Sequence, residues 1–442
     1  MKSTLAWTKY GPLEDAASVQ DPLALDYFAQ TLGNIVLPSF TTRTSRARYY
    51  SMVAYGIMIS NQFVKDKGEA YYIKDVMEAF KLYERYWARA VVEHYQNNGG
   101  IAERDKKEAD LRGKRGAIKA YSNKTVSLDY PFLTRQLELG ALGAYRTSME
   151  SLDLLKDNLS LTHKGIELAR EFLDRRYDKL ILEAMNLGKI VQKRGNETLN
   201  SLGWHSALDY DWDSPYSTHG KERILLRDYI INNPKNLVTI TLINEEYINN
   251  GKNGSTTEII NRICNRNMKT DEGKLVIEQF NTIRLFEEMS VKLINIWCKI
   301  IIHVFDQLGK ASVEECMDVV KPYMDSLVES DLINRLVSSV CYHDIRDSYH
   351  GKDFSFFIQN FVSMTEADYS RFIIEMIKYH TVVMSRRNSG PWLILNEGDI
   401  IANAGFDYAR ETLGVKVLHG YKIGNIIRLI EDLGWTCSGK EY

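Results

Sequence analysis

Four kinds of feature are scarce in this chain of 442 residues, and each scarcity excludes a class of protein. The five cysteines are scattered, odd in number and never in a Cys-x-x-Cys pair. This argues against disulfides and a structural zinc site, and it predicts reduced thiols in a cytoplasm. Eight prolines and 28 glycines favour helices over a turn-rich β architecture. The formal charge of −2 gives no global attraction to nucleic acid, so such binding needs a local basic patch.

Signals for export and for catalysis are also missing. The first 15 residues hold no apolar core of signal-peptide length, so we expect a cytoplasmic protein. The sequence contains no Walker A motif, no GxSxG, no HExxH, no dinucleotide fingerprint and no convincing nuclease D…ExK arrangement. It therefore identifies no reaction and predicts no cofactor and no metal site.

The residues that are present predict a mainly α, multi-helical fold. Apolar residues at spacings of three and four predict one long helix over Lys274–Leu308, and its charged residues exclude a membrane span. An aromatic stripe predicts a second long helix at about Ile73–Gln96. Two short apolar runs flank Asn396–Asp399, which predicts a small C-terminal β-hairpin.

Length and composition predict several domains, since single cores seldom grow past ~250 residues. The segment NNGKNGS at 249–255 is the best candidate linker, and Ser255 with Glu258 makes a capping box for the next helix. We predict four parts: an N-terminal helical region (1–100), a basic arm plus winged-helix-like segment (101–173), a helical connector (174–252) and a C-terminal helical domain with the hairpin (253–442).

The clearest basic patch is the segment LRGKRGAIKAYSNK, residues 111–124, which has five positive charges and no acid. A basic loop with glycines and a tyrosine can contact phosphates, although nothing in it reads base sequence. The alternative is a surface loop whose charge only aids solubility. The candidate phosphate-binding residues are Arg112, Lys114, Arg115, Lys119 and Lys124.

Two groups of arginines are candidates for docking a partner. The first lies in TTRTSRAR, residues 41–48, just before an apolar helix that Thr44 or Ser45 would cap. Guanidinium groups at a helix start can hold a phosphate or a partner's carboxylates. The alternative is that these arginines pair with acidic residues elsewhere in the domain. The second group lies at the mouth of the predicted hairpin. The candidate docking residues are Arg43, Arg46, Arg48, Arg386 and Arg387.

Two clusters have residue types that bind metal ions. The loop at residues 205–220 contains Asp209, Asp211 and Asp213, but it lacks the glycine and the distal glutamate of a calcium loop. An aromatic-pinned loop is the favoured interpretation. The second cluster, at His343–Asp353, would need further ligands from separate helices to form a metal phosphohydrolase, and a polar helix end is favoured there. Its members are His343, Asp344, Asp347, His350 and Asp353, with His303 and His380 as the nearby candidates.

The run LSLTHKGIELAREF, residues 159–172, resembles the wing strand and following helix of bacterial winged-helix domains, in which LTxxGxxLA recurs. The resemblance covers about 40 residues and implies a strand at Leu159–Thr162 followed by an amphipathic helix. Winged helices bind DNA or dock proteins, so the fold does not decide between them. The segment Ser148–Asp157, where a recognition helix would lie, has three acids against one lysine. That balance favours docking.

The order LPSFTTRTSRARYYS, YERYW, LTHKG and RRNSGPWLILNEGDI resembles bacterial proteins encoded in anti-phage defence islands. Some of these are accessory subunits beside SMC-type ATPases, as in Lamassu-like systems. The resemblance spans most of the chain and implies a non-catalytic adaptor that docks on a partner ATPase or nuclease effector and contacts DNA with it. The alternative is an enzyme, a cryptic metal-dependent nuclease or phosphohydrolase, that uses the cluster at His343–Asp353 or the acids at 209–213.

Overall fold

The computed structural model describes residues 21–68, 72–97, 111–208 and 220–435. These residues form 20 α-helices and two small antiparallel sheets, so the prediction of a mainly α fold is confirmed. Within the described part of the chain no helix is long and apolar enough to cross a membrane.

The helices follow one another along the chain with short connections. In the first half they are α1 (Leu25–Val36), α2 (Arg48–Asp66), α3 (Ile73–Asn97), α4 (Lys114–Ser122), α5 (Gln136–Leu139), α6 (Ala141–Ser151), α7 (His163–Phe172), α8 (Asp178–Leu187), α9 (Leu199–Ser206), α10 (Gly220–Leu226) and α11 (Leu237–Asn249). The second half contains α12 (Thr256–Cys264), α13 (Asp271–Asp306), α14 (Val313–Glu329), α15 (Leu332–Val337), α16 (Tyr342–Arg346), α17 (Gly351–Gln359), α18 (Tyr369–Arg386), α19 (Phe406–Thr412) and α20 (Ile423–Leu433).

The described residues divide into two compact units. Unit 1 contains residues 21–36 and 250–421, and unit 2 contains residues 37–249 and 422–435 with the gaps given above. The predicted linker at 249–255 lies where the chain passes from unit 2 to unit 1, and Ser255 and Glu258 form the predicted capping box. The division into four consecutive segments stays a prediction.

Helices α2 and α3 form the centre of unit 2. Helix α2 packs against α3 and α7, and α3 also packs against α9 and α4. The predicted aromatic stripe is confirmed as core, because Phe80, Tyr83 and Trp87 are all buried. Capping of α2 by Thr44 or Ser45 is wrong. The helix begins after Ala47 without a side-chain cap.

The winged-helix-like segment keeps its helix but not its strand. Thr162 caps α7, and its hydroxyl accepts a hydrogen bond from the Gly165 amide at 3.3 Å. At the predicted strand Leu159–Thr162 the structure has only an isolated bridge between Leu155 and Leu161. The reason is local: Leu159 is buried with φ +58°, and this left-handed conformation interrupts an extended chain.

Unit 1 is built around α13, the long helix that the apolar spacing predicted. Helices α1, α12, α14, α15 and α19 pack against it. All six residues from Leu293 to Cys298 are buried, so this part of the helix is enclosed on all sides, as expected from its apolar circumference.

A three-stranded antiparallel sheet lies beside α13 in unit 1. The predicted hairpin is confirmed: β4 (Leu393–Asn396) pairs with β5 (Asp399–Ala402). Its two turn residues both have positive φ, which suits the right-handed twist of a hairpin. The sequence did not predict the third strand, β3 (Lys310–Ser312), which pairs with β5. A separate two-residue ladder in unit 2 joins β1 (Lys193–Arg194) to β2 (Glu197–Thr198).

Candidate nucleic-acid interface

Most of the basic segment is a helix, α4, and not the loop that its glycines suggested. Gly113 precedes the helix with φ +69°, and Gly116 lies inside it. A Cβ on Gly116 would lie 2.4 Å from the carbonyl oxygen of Pro131. The glycines therefore let the helix lie directly against the backbone of residues 131–132, where any side chain would collide.

Helix α4 has a buried face and a charged face. Ala117 and Ala120 are buried against unit 2. Arg115 and Lys119, which lie one turn apart on the same side, are exposed, and so is Lys124 just after the helix. Lys114 is half-buried. Among the described residues none of these four cations has an ion-pair partner.

Arg112 differs from the other basic residues of this segment because its guanidinium group is already engaged. It donates hydrogen bonds to the carbonyl oxygens of Leu139 at 3.1 Å and Arg43 at 2.7 Å. The group also lies 5.9 Å from the ring centroids of Tyr49 and Tyr145. Arg112 therefore ties the start of the segment to unit 2 and is the weakest of the predicted phosphate contacts.

Tyr121 was expected to stand beside the charges as a contact for nucleic acid. The structure turns it inward: the guanidinium group of Arg89 on α3 lies 4.5 Å from its ring centroid. This cation–π contact helps to hold α4 on α3, so Tyr121 serves packing and not base stacking.

The tertiary structure adds a cation that sequence reasoning missed. Ser127 forms an antiparallel bridge with Lys189, and the Leu128 amide donates to the Gly188 carbonyl at 2.9 Å. Lys189 is exposed and, like the cations of α4, has no ion-pair partner in the described part of the chain. No signal links it to the segment in the sequence, since the pairing joins residues about 60 positions apart. We call Arg115, Lys119, Lys124 and Lys189 the basic surface.

Two of the arginines predicted to dock a partner lie inside unit 2. Arg46 is 3% exposed and pairs with Asp432, with 2.8 Å between Nε and Oδ2. Arg48 is 1% exposed and pairs with Glu222 at 3.2 Å. Both therefore have the structural role that the sequence left as the alternative, and neither guanidinium group is accessible to a partner. Docking through Arg43, which is exposed, stays a prediction.

The arginines beside the hairpin are also in ion pairs, here with acids of unit 1. Arg386 pairs with Asp353 and donates to the Tyr349 carbonyl at 3.0 Å. Arg387 pairs with Asp21, with 2.8 Å between Nη2 and Oδ2. A partner that docked on them would have to displace these carboxylates. Their docking role stays a prediction.

The members of the cluster at His343–Asp353 point to different partners. His343 is exposed and hydrogen-bonded to the Val340 carbonyl, Asp347 pairs with Arg346, and Asp353 pairs with Arg386. His350 is buried with its ring edge-on to Tyr27, and burial lowers its pKa to about 4.

The additional ligands proposed for this cluster do not complete it. Both ring nitrogens of His380 are occupied: Nδ1 lies 2.8 Å from the Pro22 carbonyl, and Nε2 accepts the Trp392 amide at 2.8 Å. Across the described residues, no three His, Cys, Asp or Glu side chains form a group that could hold a metal ion. The acids at 209–213 lie outside the described residues.

Comparison with protein-family models, curated proteins and solved structures gives no match. The basic surface therefore has to be interpreted from its own geometry. Exposed cations without acidic partners, on a firmly packed helix, can neutralise phosphates. They present no paired donor and acceptor groups for base edges, so the arrangement suits backbone contact without sequence specificity.

Proposed function

We propose that the protein is an accessory subunit that contacts the phosphate backbone of DNA through the basic surface of unit 2 while it holds protein partners. The observation that carries the DNA contact is the row of exposed cations without ion pairs on and just after α4, Arg115, Lys119 and Lys124, with Lys189 beside their segment. With a net charge of −2, the chain as a whole gives no such attraction, so the local surface has to supply it.

The rigid mounting of α4 supports this proposal over a loop that only aids solubility. Gly116 lies against the chain at Pro131, and Arg112 and Arg89 fix the helix from two sides. A fixed array of cations loses little conformational entropy when it meets a phosphate backbone, whereas a flexible loop would lose more.

The partner side of the proposal is supported by the resemblance to accessory subunits of anti-phage complexes. The partners it implies are an SMC-type ATPase and a nuclease effector encoded nearby. Co-expression with the neighbouring genes, followed by purification through a tag on this chain, is expected to recover a complex of defined stoichiometry. Recovery of this chain alone under such conditions would contradict the accessory role.

The DNA contact is tested by the salt dependence of binding. Fluorescence anisotropy with two unrelated duplexes is measured between 50 and 200 mM salt, roughly the range in which phosphate contacts dominate. Replacing Arg115, Lys119 and Lys124 together with alanine is expected to weaken both duplexes equally. The log–log salt slope should become shallower by about 0.9 for each phosphate that the variant no longer neutralises, or about 3 in all.

A matched control removes the same charge from other elements of unit 2. Lys156, Arg170 and Lys179 are exposed and have no ion pair among the described residues. Their triple replacement by alanine should leave the slope nearly unchanged. If the control lowers the slope as much as the variant of α4, binding is diffuse and the basic surface has no special role.

A further inference from the structure

Unit 1 contains a cleft of about 510 Å³ beside α13. This volume lies within the range of roughly 300–1,000 Å³ that is typical of small-molecule sites. The part of α13 between Arg284 and Lys292 supplies one wall through residues at spacings of three and four, and α12, α15 and residues 416–419 supply the others. The charged and titratable side chains of the lining include Arg284, Glu287, Lys292, Arg335, Lys416 and His419.

Four cations line this cleft without an acidic partner. Arg284 donates to the Asn281 side chain at 3.1 Å, Lys292 to the Ser326 carbonyl at 2.9 Å, and Arg335 only to the Ser330 carbonyl at 3.4 Å. Lys416 is exposed. Within the described residues none of the four takes part in an ion pair. They come from three separate parts of the chain and converge on one concavity.

The acidic group deepest in the lining is already neutralised by the protein. The carboxylate of Glu287 accepts hydrogen bonds from the ring of His419 at 2.7 Å, from the His419 amide at 3.1 Å and from the Tyr421 hydroxyl at 2.8 Å. The other ring nitrogen of His419 lies 3.1 Å from Asp26. Of the carboxylates in the lining, Glu288, which is exposed, is then left to oppose an anion.

The protonation of His419 keeps the lining positive at neutral pH. Burial lowers the pKa of His419, but hydrogen bonds to Asp26 and Glu287 outweigh that effect and raise the pKa to about 9. The imidazolium group therefore offsets the charge of Glu287, and the positive charges of the two guanidinium and two ammonium groups remain available to a ligand.

We propose that this cleft binds a small polyphosphate anion, of which a nucleoside triphosphate is the representative class. A single phosphate would satisfy one or two of the four cations, whereas a chain of phosphates engages all of them. Guanidinium forks bind phosphate oxygens in pairs, and lysines act as point charges beside them. Ile260 and Val291 give an apolar strip for the rest of the ligand, and Thr257 with Asn261 gives hydrogen-bonding groups.

The site is independent of the basic surface proposed above, because all of its residues belong to unit 1 and those of the basic surface belong to unit 2. Failure of either proposal therefore leaves the other standing.

The test is isothermal titration calorimetry of the full chain with ATP, with inorganic triphosphate, with adenosine and with a short single-stranded oligonucleotide. ATP and triphosphate are expected to bind and adenosine is not. Arg284→Gln with Arg335→Gln should weaken both phosphorylated ligands at least about tenfold, since charge-assisted hydrogen bonds are removed. Both arginines have only uncharged partners, so the variant is expected to fold, and its melting temperature checks this.

The control is Lys352→Gln with Arg410→Gln, which removes two exposed cations of the same unit that lie outside the cleft and have no ion pair among the described residues. It should leave the affinity unchanged. The proposal is overturned if adenosine binds as tightly as ATP, if neither phosphorylated ligand binds at millimolar concentration, or if the control loses as much affinity as the cleft variant. It is also overturned if the oligonucleotide alone binds in a way that depends on Arg284 and Arg335.

Discussion

Arg48 and Glu222 form an ion pair whose side chains are 1% and 0% exposed, and they lie 174 residues apart in the sequence. The guanidinium group also donates to the carbonyl oxygens of Ala207 and His205 and lies 5.1 Å from the ring centroid of Phe172. One charged group therefore joins the start of α2 to the end of α9 and to α10. The pair fixes this part of unit 2.

Removing one partner of this pair should destabilise the protein strongly. We expect Glu222→Ala to lower the free energy of unfolding by about 3–5 kcal/mol, because a buried guanidinium group loses its counter-charge. Urea denaturation measures the change. Arg43→Ala is the matched control: this arginine is exposed, and a surface change of this kind should cost no more than about 0.5 kcal/mol. Equal losses in the two variants would show that burial of Arg48 does not decide its role.

Glu84 should make unit 2 less stable as the pH rises. Its buried carboxyl accepts hydrogen bonds from the Ala141 amide at 2.6 Å and from Gln136 at 2.9 Å, at the start of α6. Burial raises its pKa to about 7. The folded state then holds a proton that the unfolded state has released. The stability it contributes is complete below about pH 4.5 and is lost as the pH passes 7.

The measurement is the difference in unfolding free energy between the wild type and Glu84→Gln at several pH values. Glutamine does not titrate, so this difference should shrink between about pH 4.5 and 7, by up to a few kcal/mol at about 1.4 kcal/mol per pKa unit. A difference that stays constant over this range would mean that Glu84 is ionised in the folded protein throughout.

His419 should produce a similar loss at higher pH, in unit 1. Because Asp26 and Glu287 raise its pKa to about 9, the imidazolium contributes stability that is complete below about pH 6.5. That stability falls as the pH rises through 9. The advantage of the wild type over His419→Gln should therefore decline across this window, with about 3 kcal/mol as its upper limit. Titration of the ring by NMR gives the pKa directly, and a value near 6.5 would contradict the ion pairs.

Gly116 and Gly424 test the close approach of α4 to the backbone at Pro131. Both are helical glycines of unit 2, but nothing lies within 4 Å of a Cβ on Gly424. Gly116→Ala should lower the free energy of unfolding by about 1–3 kcal/mol through overpacking. Gly424→Ala should raise it by up to about 1 kcal/mol, since alanine favours the helix. Thermal denaturation compares them, and stabilisation by both changes would show that α4 is free to move.

The sequence by itself determined the elements whose signals are local. The apolar spacing of α13, the hairpin around Asn396–Asp399 and the capping boxes at Ser255 and Ser312 are all present. Each depends on residues within a few positions of one another, because helix period, turn chemistry and caps act over one or two turns. Leu159 marks the limit of such signals. A buried leucine with positive φ ended a strand that the local pattern had predicted.

The tertiary structure decided what the charged residues do. Arg46 meets Asp432 and Arg48 meets Glu222 across hundreds of positions, and Lys189 joins α4 only through a bridge at Ser127. The cleft of unit 1 likewise brings together residues from Thr257 to His419. With 56 basic and 58 acidic residues, each arginine has many possible partners along the chain. Only the folded arrangement selects one, because ion pairs and exposure depend on distances in space and not on spacing in the sequence.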